Sequence, residues 1–207
     1  MKLLKRLVLF SMMSVISAMT ASAQNWIDVT NDFIVNPNLD GNANGWNVWV
    51  DGSQNYGYQC NWSGYSKGNS GVTIYQFVEA WRPSWTGTLG NGWIYQTFTL
   101  PKGRYRLSAD GIASQQGDAS VSPTGAYLYA DTEGSAWIAK TPMASADGRP
   151  EHFSVEFERN EEANINIGLM VVESESNINW LAATNFRLEV ASADYVAVQS
   201  ITLTPER

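Results

Sequence analysis

The residues best suited to chemistry are aromatic side chains in and beside two polar stretches, 51–71 and 79–91. Both stretches are rich in glycine, serine or asparagine and lack helical periodicity, and long connections of this kind often carry function. Flat apolar rings stack on the C–H faces of sugars, while amides, carboxylates and guanidinium groups bond to sugar hydroxyls. The predicted carbohydrate-binding residues are Trp49, Tyr56, Trp62, Glu79, Trp81, Arg82 and Trp85.

Burial in a hydrophobic core is the alternative role for such rings. For Trp62, Trp81 and Trp85, which lie in polar loops containing glycine or proline, both interpretations stay open. A second set of aromatic residues lies on predicted strands with apolar partners, and we expect these residues in the core. They are Trp46, Phe98, Tyr105, Trp180 and Phe186.

The sequence contains few of the patterns that carry out catalysis. His152 and Cys60 are its only histidine and cysteine, which excludes a histidine-rich zinc site, and no serine-nucleophile elbow or phosphate-binding loop is present. Carboxylates such as Glu79 and Glu156 could serve a glycoside hydrolase, but the strand pattern places Glu156 on a solvent-facing side. We therefore predict a protein that is not an enzyme, with a glycoside hydrolase as one alternative.

The first 23 residues have the features of a cleaved signal peptide. Lys2, Lys5 and Arg6 precede an apolar run at 7–19, and small residues at 21–23 form a cleavage signal. The run is shorter than the roughly 20 residues that cross a bilayer, which argues against a membrane anchor. The expected location is the periplasm, the cell surface or the medium.

The charge of the remaining 184 residues restricts the partners. Without the first 23 residues the chain has 10 basic and 20 acidic side chains, a net charge of −10. Such a chain is not suited to nucleic acid or to anionic membrane surfaces, and no later segment could insert into a membrane. Nine Trp, nine Tyr and seven Phe in a chain with only 16% charged residues are typical of proteins that bind a neutral polysaccharide or oligosaccharide. Many simple β-sandwiches share this composition.

Alternating apolar and polar residues predict an all-β fold. The run at 92–110 reads as two strands joined by a turn at Pro101 and Gly103, and we predict an antiparallel hairpin at the centre of the fold. We find no helix of more than a turn or two. Many short strands with regular turns indicate a two-sheet antiparallel jelly-roll β-sandwich. The other predicted strands lie at 33–35, 46–50, 72–78, 126–130, 136–139, 152–158, 165–172 and 184–190.

Three sequence motifs follow one another in order along the chain. The first motif is Asn-Pro-Asn-Leu-Asp at 36–40, followed by Gly-Trp at 45–46. The second motif is Tyr-Gln-Thr-Phe-Thr-Leu-Pro-Lys-Gly-Arg-Tyr-Arg-Leu-Ser at 95–108. The third motif is Trp180 followed by Thr-Asn-Phe-Arg-Leu at 184–188. In order and spacing over residues 33–190, these motifs resemble galactose-binding-like jelly-roll modules of secreted Bacteroidetes proteins. More distantly, they resemble carbohydrate-binding modules of the xylan- and glucan-binding kinds.

The resemblance implies a galactose-binding-domain-like fold, non-catalytic glycan binding and, in many members, a structural calcium ion. The positions that match the calcium ligands of such modules are Asp40 and Asn185. Asn185 stands where these modules have an aspartate, and the affinity for calcium falls with ligand charge. A turn residue before Gly41 is the alternative role for Asp40.

The predicted organisation is a signal peptide at 1–23, a jelly-roll domain at 24–191 and a separate segment at 192–207. This last segment resembles the opening strand of bacterial immunoglobulin-like repeats, with a linker as the alternative. The alternative to glycan binding is a structural or adhesion domain that mediates protein contacts at the cell surface. Retention on polysaccharides distinguishes the two.

Overall fold

A computed structural model describes residues 25–51, 55–59, 65, 71–83, 87–116, 118, 120–132, 137–145 and 148–195. The predicted signal peptide at 1–23 and residues 196–207 lie outside these ranges. Cys60, Trp62 and Trp85 also lie outside the described residues. No helix in the described part of the chain is long and apolar enough to cross a membrane.

The described chain consists almost entirely of β-strands. One helical turn, α1, covers Thr30–Phe33, and a 3₁₀ turn covers Glu173–Glu175. The strands are β1 (Trp26–Asp28), β2 (Asn47–Val50), β3 (Asn55–Gln59), β4 (Phe77–Trp81), β5 (Gly92–Leu100), β6 (Gly103–Ser114), β7 (Ala126–Thr132), β8 (Trp137–Pro142), β9 (Glu151–Arg159), β10 (Ala163–Val171) and β11 (Trp180–Ala191).

The strands form two antiparallel sheets that face each other, as predicted for a jelly-roll β-sandwich. Sheet A has the order β3-β4-β11-β6-β9, and β1 adds to the second half of β11. Sheet B has the order β2-β5-β10-β7-β8. The inward residues of both sheets form one hydrophobic core, to which Leu107 of β6 and Ile165 of β10 belong. Each sheet also has an outer face, which points away from this core.

Alternation along the strands was predicted correctly where the pattern is strict. Ile94 and Leu100 of β5 are fully buried, while Thr97 and Thr99 are exposed. In β9 the odd positions 153, 155 and 157 are buried and the even positions between them are exposed. The pattern therefore identifies which side chains face the core.

The central hairpin prediction was wrong. β5 and β6 are not partners: β5 pairs with β2 and β10 in sheet B, and β6 pairs with β9 and β11 in sheet A. The turn after Pro101 therefore carries the chain from one sheet to the other. A turn sequence shows that the chain reverses, but the same inward alternation is satisfied when the two strands lie on opposite sides of one core.

A buried tyrosine fixes this crossing between the sheets. Tyr105 is fully buried and its hydroxyl donates a hydrogen bond of 3.0 Å to the carbonyl oxygen of Pro101. Its ring stacks on Phe157 of β9, with the centroids 5.7 Å apart. Residues 192–195 reinforce the crossing from outside, because the Asp194 carboxylate accepts a bond of 3.1 Å from the Arg104 amide.

Two predicted strands are placed differently. The strand expected at 33–35 does not form, because Phe33 ends the α1 turn and residues 34–35 belong to no strand; before this turn Asp28 accepts a 2.9 Å hydrogen bond from the Thr30 amide. The strand expected at 72–78 begins only at Phe77. The apolar residues before it have another role, since Ile74 packs with Phe77 and Trp180 in a second cluster on the outer face of sheet A.

We predict that Tyr105→Phe lowers the free energy of unfolding by about 1–3 kcal/mol, because it leaves the buried Pro101 carbonyl without its donor. Urea denaturation of the two proteins measures the difference. Tyr75→Phe is the matched control, since Tyr75 is exposed and the same atom is removed. Equal losses in the free energy of unfolding in the two variants would contradict a special role for the Tyr105 hydroxyl.

Candidate binding surface

The outer face of sheet B carries a band of aromatic side chains, here named the aromatic face. Ile94 of β5 and Ile167 of β10 point into the core, so the residues beside them in sequence point outward. Cross-strand pairing then aligns outward residues of β2, β5, β10 and β7 in rows. The aromatic residues of this face are Trp49, which is exposed, Trp93, Tyr95 and Tyr127, which are half-buried, and Tyr129, which is buried.

A tryptophan pair forms one end of the aromatic face. Trp49 on β2 lies directly opposite Trp93 on β5, with ring centroids 4.5 Å apart and planes inclined by 59°. Trp49 is 47% exposed because β2 is an edge strand of sheet B. Met170, which follows Trp93 in the same row, is buried. This end therefore presents a flat apolar ring to solvent from a regular strand.

The middle of the aromatic face has no side chain on β10. Gly168 lies opposite Tyr95 on one side and Tyr129 on the other. A Cβ atom at this position would lie 2.0 Å from the Ile94 carbonyl oxygen, so the close approach of β5 requires glycine. The two tyrosines thus face each other across a bare strand position.

The other end of the aromatic face is polar. The Thr97 hydroxyl donates a 2.6 Å hydrogen bond to the side-chain oxygen of Asn166. The side-chain nitrogen of Asn166 bonds in turn to the Asp131 carboxyl. Burial raises the pKa of Asp131, and the bond from Asn166 opposes this effect. The Oδ1 atom of Asp131 is buried and has no hydrogen-bond partner in the described part of the chain.

A cation and an anion hold Tyr127 in place on the aromatic face. The Lys140 ammonium lies 3.9 Å from the centre of the Tyr127 ring, within the range of a cation–π interaction. The Tyr127 hydroxyl donates a short hydrogen bond to the Glu175 carboxylate. This bond, with some burial, raises the pKa of Tyr127 to about 12, so the hydroxyl stays neutral.

The two ends of the aromatic face can contact different parts of one ligand. Rings at the tryptophan end offer apolar surface, and the threonine, asparagine and carboxyl groups at the other end offer donors and acceptors. Most of these groups lie on paired strands and need little rearrangement to bind. A ligand with apolar faces and many hydroxyls matches this surface.

The structure distributes the sequence-predicted residues over different parts of the molecule. Trp49 lies on the aromatic face, whereas Trp81, which is 38% exposed, ends β4 on the outer face of sheet A. Glu79 is buried on that same outer face, where it accepts a 2.8 Å hydrogen bond from the Trp180 indole. The two exposed tryptophans therefore point to opposite sides of the sandwich.

Tyr56 and Arg82 have contacts within the fold. The Tyr56 hydroxyl lies so close to Gly92 that a Cβ there would be 2.0 Å away, and burial raises the pKa of this phenol. Arg82 donates a 2.9 Å hydrogen bond to the Thr88 carbonyl oxygen. Trp62 and Trp85 lie outside the described residues, so the predicted set is not brought together by the described part of the chain.

Sequence reasoning did not select Trp93, Tyr95, Tyr127 and Tyr129 as binding residues. The period-two pattern does separate Trp93 and Tyr95 from Ile94, but rings occur on both sides of β5 and the pattern cannot show which side faces solvent. Tyr127 and Tyr129 come from a strand that is far from β5 in sequence. Their assembly with Trp49 depends on the order of strands in sheet B.

Asp40 and Asn185, the predicted calcium ligands, line one groove of about 470 Å³ beside β11. We name this cavity the bulge groove, because β11 has a bulge between Thr184 and Arg187. Its lining residues are Asn38, Asp40, Thr73, Tyr75, Gln76, Thr184 and Asn185.

The donor chemistry of the bulge groove fits calcium only weakly. The donors include carboxylate, amide and hydroxyl oxygens, which calcium accepts, but Asp40 is the one carboxylate that lines the groove. The Asn185 amide nitrogen donates to the Asp110 carboxylate at 2.9 Å, which leaves its carbonyl oxygen for other contacts. No group of three or more His, Cys, Asp or Glu side chains among the described residues is placed to hold a metal ion.

Comparisons with known proteins agree with the fold. No protein-family profile and no curated protein matches the sequence. An arabinose-bound α-L-arabinofuranosidase superposes with a TM-score of 0.52 at 10% identity, over 75% of this chain and 26% of that chain. The CBM22-1 and GH10 modules of Clostridium thermocellum endo-1,4-β-D-xylanase 10B, complexed with xylohexaose, give 0.50 at 13% identity, over 77% and 28%.

A third structure, the CBM22-1 xylan-binding domain of a Paenibacillus barcinonensis protein, gives a TM-score of 0.48 at 8% identity, over 77% of this chain and 95% of that chain. This chain spans about a quarter of the first two chains. At these identities the likeness shows the fold alone. The protein is a two-sheet antiparallel β-sandwich that superposes on part of a chain containing a CBM22-1 module.

We predict that Asp131→Asn raises the melting temperature at pH 7. A carboxyl whose pKa is raised on folding contributes its stability below the ordinary pKa of 3.8 and loses it as the pH rises through the folded value. The advantage of the variant should therefore shrink as the pH falls towards 3.8. Thermal denaturation of both proteins between pH 3 and pH 8 measures it.

Asp28→Asn is the control of opposite sign. Partial burial raises the pKa of Asp28, but hydrogen bonds from Thr30 and the charge of Arg187 outweigh it and hold the pKa of this carboxyl below its usual value. This variant should melt lower than the wild type at pH 7, and the deficit should vanish in acid. A melting temperature of Asp131→Asn at or below that of the wild type at pH 7 would contradict the prediction.

Proposed function

We propose that this protein is an exported, non-catalytic glycan-binding module whose aromatic face holds a neutral oligosaccharide or polysaccharide. The observation that carries the proposal is the juxtaposition of exposed and half-buried rings with neutral hydrogen-bonding groups on one face of sheet B. The rings of Trp49 and Trp93 supply stacking surface. Thr97, Thr99 and Asn166 supply groups suited to hydroxyls.

Electrostatics support a neutral ligand. The chain is acidic as a whole, and the charged groups on the aromatic face are already engaged with their neighbours. Lys140 lies over Tyr127, Glu175 accepts the Tyr127 hydroxyl, and Asp131 bonds to Asn166. A polyanionic glycan would meet a negative protein with one lysine beside the rings, whereas a neutral glycan needs no countercharge.

Binding without catalysis is supported by the way the described carboxylates are used. Glu79, one of the carboxylates considered for hydrolysis, is buried against Trp180. Glu156 faces solvent on β9, as its alternation predicted. The one histidine, His152, lies 2.9 Å from the Asp110 carboxylate on sheet A, on the other side of the sandwich from the aromatic face.

Tryptophan substitutions on opposite faces test the proposal. Trp49→Ala and Trp93→Ala should each weaken glycan binding about tenfold, which corresponds to about 1.4 kcal/mol for the loss of one stacked ring. Trp81→Ala is the matched control, because it removes an exposed tryptophan from sheet A and should leave binding unchanged. Calorimetry with xylohexaose and with gluco-, manno- and galacto-oligosaccharides gives the affinities.

Two outcomes would contradict the proposal. One is that none of these glycans binds, which favours an adhesion or structural role. The other is that Trp81→Ala weakens binding as much as Trp49→Ala, which would move the site to sheet A. Release of reducing sugar from any of the glycans would contradict the non-catalytic part.

A calcium ion held by Asp40 and Asn185 is a separate proposal. With one carboxylate among the groove residues we expect weak affinity, in the range of about 10⁻⁴–10⁻³ M found for extracellular sites. Millimolar calcium should therefore raise the melting temperature, and Asp40→Asn should remove this increase. Magnesium at equal concentration controls for ionic strength, and an unchanged melting temperature with calcium and with chelator would refute the site.

A further inference from the structure

The backbone around the bulge groove has an unusual conformation that neither the core nor the aromatic face explains. Among the residues that the structure describes, three other than glycine have positive φ, and all lie in or beside the groove: Asn36 at 48°, Leu39 at 59° and Asn185 at 52°. Backbone in this region is unfavourable for most residues and persists where the surroundings hold it. Here the surroundings are a buried anchor and a strand bulge.

The buried anchor is Leu39. Its side chain is fully buried in the core, and its carbonyl oxygen accepts a 2.8 Å hydrogen bond from the Tyr58 hydroxyl. Because Leu39 points inward, its neighbours Asn38 and Asp40 project outward and are exposed. On the facing wall, the bulge in β11 exposes Asn185 next to buried Phe186. The polar side chains of the groove are thus held by the fold on both sides.

These side chains retain unused hydrogen-bonding groups. Within the described residues, the side-chain amide of Asn38 and the carboxylate of Asp40 have no hydrogen-bond partner. The side-chain oxygen of Gln76 accepts a 2.7 Å hydrogen bond from the Gly41 amide, so the side-chain nitrogen of Gln76 remains available. The groove therefore offers both donors and acceptors, which suits hydroxyl groups, since each hydroxyl both donates and accepts.

An exposed aromatic ring completes the bulge groove. Tyr75 is 57% exposed, more than any other large apolar or aromatic side chain that the structure describes. The groove volume of about 470 Å³ lies within the range of about 300–1,000 Å³ typical of ligand sites. A second cavity of about 380 Å³ adjoins it and shares Asn38 and Asn185. The space can therefore continue along β11 towards Arg187.

We infer that the bulge groove, in its calcium-free form, is a second saccharide-binding site, on the opposite side of the sandwich from the aromatic face. Tyr75 provides the stacking ring, and Asn38, Asp40 and Gln76 bond to the hydroxyls of a short neutral saccharide. The inference rests on the proposed function for the class of ligand and on the groove itself for the site. A protein with two such sites can hold two segments of a polysaccharide, which raises its avidity without new contacts at either site.

Calorimetry in EDTA tests this inference, with xylohexaose and the same neutral oligosaccharides as probes. The wild type should bind two molecules of one of these ligands. Tyr75→Ala should bind one, with at least a tenfold loss at the groove, and Tyr75→Phe should bind two because it keeps the ring. Melting temperatures of the variants establish that the fold is intact.

The aromatic-face variants separate this inference from the proposed function. Trp49→Ala combined with Trp93→Ala should leave one site, and a further Tyr75→Ala should remove it. If Tyr75→Ala retains the wild-type stoichiometry and affinities, the second site is refuted while the aromatic face stands. If Tyr75→Ala alone abolishes all binding, the groove stands and the aromatic face is refuted. Saccharide binding to the groove that disappears in EDTA, or no binding of any probe, would overturn the inference.

Discussion

Each strand of this sandwich divides its side chains between one core, shared by both sheets, and one outer face. The crossing at Pro101 makes this division possible, because it moves the chain from sheet B to sheet A without interrupting the inward alternation. Leu100 before the turn and Tyr105 after it are both fully buried in the same core. The side chains that do not point into this core form the two outer faces.

The two outer faces have different uses. On sheet A, Ile74 and Phe77 build a second cluster around Trp180, whose indole bonds to Glu79. Part of this face is therefore covered, and its aromatic residues stabilise the fold. On sheet B, Trp49 remains at the surface on an edge strand. The middle of this face is also covered, because Met170 and Tyr129 are buried there, so its exposed aromatic surface lies at the edge that carries Trp49.

Both candidate sites contain groups that the fold leaves incompletely bonded. Within the described part of the chain, Asp131 has a buried oxygen without a partner, and Asn38 and Asp40 hold unused polar groups at the surface. An unpartnered buried acceptor costs stability, and departures of this kind are commonest where a protein binds something. Leu39 and Asn185 have positive φ, and uncommon backbone conformations of this kind also cluster at binding sites.

The sequence alone determined the fold class, most strand positions and the inward residues. Strict alternation, as in β9, assigns the apolar side chains to the core, and this assignment is the same for any arrangement of the strands. Strand partners were not determined, because β5 and β6 satisfy the same pattern as a hairpin or on opposite sheets. The candidate sites depend on those partners. Only the pairing of β2, β5, β10 and β7 gathers Trp49 and Tyr127 on one face and leaves Trp81 on the other side. Residue types and spacing thus indicated which kinds of side chain could bind a sugar. Strand order decided which of these side chains lie together, because contacts across a sheet join residues far apart in sequence.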